Sequence, residues 1–319
     1  MKPSLQIIVS CSNRKTAPVS NDLQLRTVTT DDIESRVHEW CRRLADHRGT
    51  TTAAERLYAG EHWVVTKELP TLAQEVGFKP SLWIMSAGYG LVPASACIHP
   101  YSATFASDEL DSVTATAIPE QPRDPMLQTW WGSLCQFAGG GKDEPHSLTD
   151  LLMNSRRSYF LLVASPYYLS AVEKDLQSAL LALASPERLM IVTSPSKLTN
   201  GLLRHHSVCS SARLQSRLGG SCVSLHARVA SLILKKVNSW GFDAKTVGKR
   251  IEALIAKSPQ RENFQRQQIT DRQVRQFVKV NLKSTPQLSC SMLLRRLRDS
   301  GFACEQSRFK ELYWEVRGD

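Results

Sequence analysis

Four short apolar runs constrain this chain most: LQIIVS (5–10), LWIMSA (82–87), YFLLVAS (159–165) and RLMIVTS (188–194). None alternates cleanly between apolar and polar residues. A strand that buries one face shows that alternation, so these four are expected to be covered on both faces, as in a parallel sheet. Helical stretches separate them, at 31–47, 68–77 and 165–184, the last opening on the start signal Ser165-Pro166. Strand–helix alternation predicts an α/β domain: three α/β/α layers around a four-stranded, mainly parallel sheet.

Between the second and third runs, residues 117–150 are rich in Pro and Gly. They read as an insertion or loop, with GGGKDEP its most mobile part. GGGK lacks the upstream glycine spacing and following Ser/Thr of a phosphate-binding loop, which argues against a nucleotide site there. A helix is expected at about 222–239, and WGFDAKT then marks a boundary. Beyond it lie four short amphipathic stretches: AKTVGKRIEALIAKS, TDRQVRQFVKVNL, SCSMLLRRLRDSG and CEQSRFKELYWEVR. Thr270 and Ser289 suit N-caps, and Gly301 suits a helix stop. The last pair, joined by SGFACE, has helix-turn-helix proportions. Arg295, Arg296 and Arg298 on one helix, and Gln306, Ser307, Arg308 and Lys310 on the next, suit phosphates and base edges. The expected division is 1–238 and a small, basic, all-helical domain at 240–319.

Charge supports that division. The chain of 319 residues carries a net +10. From residue 240 onward, 16 Lys/Arg face 9 Asp/Glu, a net +7, and the remaining 24 against 21 leave +3. A basic segment of this kind is the footprint of a phosphate-backbone binder, so double-stranded DNA is the expected partner. No apolar run approaches the roughly 18–20 residues of a membrane span, so no membrane partner is expected. The eight cysteines are scattered and no signal segment precedes the first strand, so reduced thiols and a cytoplasmic location are expected.

Ligands of open α/β sheets bind outside the carboxyl ends of the strands. Here those ends read SCSNRK, SAGYGLVPASACIHPYSATF, SPYY and SPSKLTNG, all small, polar or aromatic. Tyr58, Tyr89, Tyr101 and Phe105 could stack on a planar base. Gly60, Gly88 and Ser86 sit beside them in sequence, and Gly88 would admit close backbone approach. Ser12 and Asn13 could read polar edges or hold a water. Cys11, beside Arg14 and Lys15, could serve as a thiolate nucleophile or could simply end a strand as a small buried hydrophobe. A second constellation, His205-x3-Cys209 and Cys222-x3-His226, places each pair at i, i+4 spacing, but the ligand order matches no familiar zinc finger. No metal and no cofactor are expected.

The stretches VSCSNRKT, ERLYAGEHW, MSAGYGLVPASACIHPYSATF and DELDSV resemble the YaaA-related superfamily. Its members pair a first-strand S-x-x-K or C-S-x-x-K with a later S-x-x-Y-G-L/V…PY block, and the archaeosine-synthase accessory domain carries a similar C-S-x-x-K. The likeness covers residues 4–115 well and 158–200 loosely. That superfamily resembles the uracil-DNA glycosylase fold, which implies a water-activating residue just after the first strand, here Asn13. It also implies a Ser/Pro-rich loop after the last strand that pinches the DNA backbone. TSPSKLT (193–199) resembles that loop, with Thr193 where a histidine would stand and Ser194, Ser196 or Lys197 left to compensate. The resemblance implies a DNA glycosylase that excises a modified base, in the manner of phage-defence enzymes, from a flipped position. The alternative it implies is hydration of 7-cyano-7-deazaguanine in DNA through Cys11. A non-catalytic reader of modified DNA would use the same pocket.

Overall fold

The computed structural model describes residues 2–30, 32–107, 109–115, 122–137, 144–183, 185–260 and 266–318. They form two compact units, Met1–Pro259 and Gln260–Asp319.

The first unit is α/β. Its central sheet has six strands: β1 (Ser4–Ser10), β2 (Lys79–Ser86), β3 (Gly90–Pro93), β4 (Tyr159–Val163), β5 (Leu189–Thr193) and β6 (Ser207–Cys209). Their spatial order is β3-β2-β1-β4-β5-β6. All neighbours run parallel except the β2–β3 hairpin. The expected strands are therefore the four inner ones, and the expected count of four is corrected to six. The edge strands GLVP and SVC are too short to register as apolar runs. β1 is the centre of the sheet: Ile7 pairs with Leu82 on one side and Leu161 on the other, and Leu5 through Val9 are buried.

Helix α1 (Ile33–Asp46) opens on Asp32, whose carboxylate accepts from the Ser35 amide. It buries Val37, Trp40, Cys41 and Leu44, an i, i+3, i+4, i+7 stripe. Helix α2 (Glu61–Glu75) follows. Helix α3 (Arg123–Phe137) lies where the composition suggested a loop. It buries Leu127, Trp130, Trp131 and Leu134, and the two indole N–H groups donate to Ala87 O (2.8 Å) and the Asp175 carboxylate (2.9 Å). Flanking Pro and Gly had masked this apolar face. Most of GGGKDEP, 139–143, lies outside the described residues.

Helices α4 (Leu148–Asn154), α5 (Pro166–Ala171) and α6 (Glu173–Ala182) come next, with Ser165-Pro166 starting α5 as expected. Helix α7 (Leu225–Trp240) packs on α2 and the sheet. Helix α8 (Ala244–Ala256) packs on β6 and buries Ala244, Val247 and Ile251 in the same core. The boundary expected at 238–240 therefore lies about twenty residues further on, at Pro259. α8 is amphipathic because one face completes the sheet layer.

The second unit is a small helical body: α9 (Asp271–Ser284), α10 (Cys290–Asp299) and α11 (Gln306–Gly318), with a parallel pair of two-residue strands, β7 (Gln267–Gln268) and β8 (Phe302–Ala303). Val274, Val278, Leu293, Leu297, Phe309 and Tyr313 form its core. Thr270 and Ser289 cap α9 and α10 through their hydroxyls, and Gly301, at φ +85°, follows α10. Among the described residues no helix is long and apolar enough to cross a membrane.

Candidate active-site cleft

The strand order turns at β1, whose two neighbours β2 and β4 carry the chain off in opposite directions. Open α/β sheets bind ligands at the carboxyl ends of the strands flanking such a turn. A cleft of about 620 Å³ opens there. Its floor is Ser10–Arg14, from the end of β1. Ala59–His62, entering α2, form one wall, and Ser165, Tyr167 and Tyr168, after β4, form another. Ser221–Val223 and His226, entering α7, close the side. A groove of about 670 Å³ beside Trp83 and Lys67 is comparable in size, but among the described residues no thiol, imidazole or amide side chain lines it.

Cys11 is 6% exposed at the cleft floor. Its sulfur lies 3.0 Å from the Tyr168 hydroxyl and accepts from Tyr101 at 3.4 Å. Tyr101 continues a buried chain: 2.7 Å to Ser86 Oγ and 3.0 Å to Tyr58 OH, with Ser86 Oγ also receiving the Tyr89 amide at 3.0 Å. Burial, and then the neighbouring sulfur, push all three phenols well above their ordinary pKa, so each stays a protonated hydrogen-bond donor. Gly88 packs so closely on the Tyr101 ring that a Cβ would lie 2.5 Å from it, so only glycine fits.

This geometry revises the expected base pocket. Tyr58, Tyr101 and Phe105 are fully buried and do not line the cleft. They form a layer beneath it, with Ser86 and Gly88 within that layer. Tyr89 lies there too, its hydroxyl accepting from the His99 amide at 3.1 Å. Gly60, at φ +94°, does line the cleft and makes the turn into α2. The aromatics that face the cleft are Tyr167 and Tyr168. Tyr167 is 46% exposed, with the Arg123 guanidinium 4.5 Å from its ring centroid. The SPYY strand end was the sequence signal for them.

Lys15 lies behind the floor. Its ammonium donates to Ser12 O (2.8 Å) and Asn13 O (3.2 Å) and sits 4.5 Å from the Tyr101 ring centroid. Burial lowers its pKa, while Cys11 and Asp111 oppose that shift. It is thus a staple under the 12–13 loop. The Ser12 hydroxyl donates to Ala59 O at 2.9 Å and holds the same loop from the other side. Asn13 is exposed at the cleft, and among the described residues its side chain makes no hydrogen bond.

Two histidines join the cleft that sequence reasoning had not placed there. His62 Nε2 donates to Ser10 O at 3.2 Å, and its Nδ1 is buried without a partner. His226 Nε2 is 2.9 Å from Ser194 Oγ. Burial lowers both pKa values, and proximity to His62 helps hold His226 at about 4, so both are neutral at pH 7. A histidine thus stands beside the last-strand loop, but it is contributed by α7. Glu61, at the same wall, accepts from the Ser221 amide (2.9 Å), the Ser224 hydroxyl (3.0 Å) and the Arg228 guanidinium (2.7 Å), which bring it to a pKa of about 2.

Of the other loop residues, Ser196 caps a one-turn helix, Lys197–Asn200, and Lys197 is exposed. The suspected metal set does not assemble. His205 and Cys209 share no helix, because β6 starts between them. His226 is engaged by Ser194. Among the described residues no three His, Cys, Asp or Glu come together as a metal site.

In the second unit, Arg295 and Lys310 are exposed, and Arg296 reaches Asn281 Oδ1 at 3.3 Å. Arg298 and Arg308 are instead tied inward, to Cys304 O (3.0 Å) and Ile269 O (2.8 Å). Compared with known proteins, the chain matches no family model, no curated protein and no solved structure.

Proposed function

We propose that the cleft receives a modified base swung out of double-stranded DNA and that the protein hydrolyses its N-glycosidic bond, leaving an abasic site. The observation that carries this reading is Asn13, a free amide at the carboxyl end of β1, on the lip of the cleft at the turn in strand order. Among the described residues the one carboxylate in the lining, Glu61, is engaged by Arg228 and Ser221, which leaves the amide to position a water against C1′. Tyr167 offers a face for stacking, and the basic second unit supplies attraction to the backbone. In this reading the sheet is a uracil-DNA-glycosylase-like core with an extra strand at each edge, and the protein works in antiviral defence in the cytoplasm.

A second reading has its own observation, the Cys11 sulfur held by Tyr101 and Tyr168. Phenol donors favour negative charge on sulfur, as a nucleophile requires. Added to the nitrile carbon of 7-cyano-7-deazaguanine, that sulfur would form a thioimidate, which water converts to the amide.

One experiment separates these readings. The full chain is incubated with hypermodified phage DNA and with unmodified DNA, and alkali-labile abasic sites are counted. Excision is expected on the modified DNA. Asn13→Ala should lower it about 100-fold or more while sparing DNA affinity, and Cys11→Ala should leave it. No abasic sites on any hypermodified DNA sinks the glycosylase. A gain of one water on the intact nucleoside, lost in Cys11→Ala, supports the second reading. Binding with neither product identifies a reader.

A further inference from the structure

Arg14 stands on the lip of the cleft, directly after Asn13, and is exposed. Among the described residues its guanidinium makes no hydrogen bond, ion pair or ring contact. The carboxylates around it are placed otherwise. Glu61 is taken by the Arg228 guanidinium at 2.7 Å and by the Ser221 amide at 2.9 Å. Asp111 accepts from the Arg26 amide at 2.8 Å and the Ser102 hydroxyl at 2.7 Å, and lies 3.4 Å from the Arg26 guanidinium. Glu109 is exposed on a neighbouring chamber of about 120 Å³ that it shares with Asn13, Lys15 and Arg26, and it forms no ion pair with Arg14. The backbone that carries Arg14 is nevertheless fixed. Arg14 O accepts from the Ala59 amide at 2.9 Å and the Ser12 hydroxyl at 3.1 Å. Lys15 pairs with Tyr58 in a β-bridge, and the Thr16 amide donates to Leu57 O at 2.8 Å. The side-chain stem runs over the turn into α2, where a Cβ on Gly60 would lie 3.5 Å from Arg14 Cδ. An uncommitted cation on an anchored base needs little further ordering to meet an anion at the cleft mouth.

We propose that Arg14 holds a backbone phosphate flanking the nucleotide whose base enters the cleft. The proposal rests on DNA being the substrate and adds how the first unit fixes the sugar in front of Asn13. A base swung into a pocket leaves its flanking phosphates at the mouth, one sugar away from C1′. Arg14 and Asn13 are neighbours on one anchored loop, so holding the phosphate also sets where C1′ stands relative to the amide. The planar guanidinium offers paired N–H donors that match phosphate oxygens two at a time. Arg14 is in this sense a positioning residue. An acidic substituent on the modified base would present a similar anion, and the test separates the two sources.

The test uses the full chain and a duplex with a single tetrahydrofuran abasic analogue, which keeps the phosphates and carries no base. Arg14→Gln should weaken binding about 10–100-fold. It should also lower the slope of log K against log salt by about 0.9, the value of one phosphate contact. Each flanking phosphate is then neutralised in turn as a methylphosphonate. Wild-type binding should weaken by a similar factor at one of them, and that loss should vanish in Arg14→Gln. Unchanged affinity and slope in Arg14→Gln overturn the phosphate site and leave the excision chemistry standing. So do methylphosphonates that cost the wild-type chain nothing, or that cost the variant as much as the wild type. A loss seen on hypermodified phage DNA but absent on the abasic duplex also overturns it, and assigns Arg14 to an acidic group on the base. Failure of the wild-type chain to bind either DNA overturns both this site and the reading of DNA as substrate.

Discussion

Cys11 and Asn13 are two residues apart and meet opposite surroundings. The thiol is buried among phenols, whereas the amide stands free at the cleft. The imidazoles beside them respond to pH in a definite direction. His226 titrates at about 4 in the folded chain and near 6.5 when unfolded. Between those values the unfolded chain binds more protons, so the stability His226 contributes is complete above pH 6.5 and is lost as pH falls toward 4. Glu61, held at about 2 against an ordinary 4.5, adds its own loss only below pH 4.5. Thermal unfolding followed from pH 7 to 4.5 should therefore show a decline that His226→Gln reduces, and a decline of equal size in the variant rules out this assignment. At this scale Cys11 and Asn13 fall on the cleft because they follow directly on the first buried strand, whereas Gly60 reaches it from the turn into α2. The sequence could not show that Tyr58, Tyr101 and Phe105 lie under the floor, since an aromatic near a strand end looks the same above or below the surface. His62 and His226 were invisible as a pair because they come from helices far apart in the chain.

The inner strands β1, β2, β4 and β5 were legible because burial on both faces leaves an unbroken apolar run. Edge strands β3 and β6 were not, since three or four residues carry no such run. Helix α3 shows the limit from the other direction: its flanks are Pro- and Gly-rich, while its middle, TWWGSL, is core. Trp130 is fully buried and donates to Ala87 O, next to the glycine that admits Tyr101. Trp130→Ala should destabilise the chain by about 3–5 kcal/mol in urea unfolding. A loss under about 1 kcal/mol would mean that α3 is not part of the core.

Across the whole molecule, the cleft is built from the first unit alone. A chain ending at Pro259 should therefore keep the cleft and unfold cooperatively. A chain ending at residue 239 loses Val247 and Ile251 from the core and should be less stable by on the order of 3–6 kcal/mol, as read by urea denaturation. Equal stability of the two truncations would restore the boundary that WGFDAKT and the charge distribution suggested. Charge was a sound guide to where the basic excess begins but a poor guide to where the core ends, because α8 is basic on one face and buried on the other.

The bonds that join the cleft walls also have a consequence in time. Cys11 meets Tyr168 across 157 residues, and Glu61 meets Ser221 across 160. During synthesis the floor emerges from the ribosome first and the α7 wall more than 200 residues later, which at about 5–20 residues per second is a delay of about 10–40 seconds. Unfinished or prematurely terminated copies carry Cys11 and Asn13 without His226 or the Glu61 anchor. The cleft thereby lacks one wall until the segment through His226 has been made.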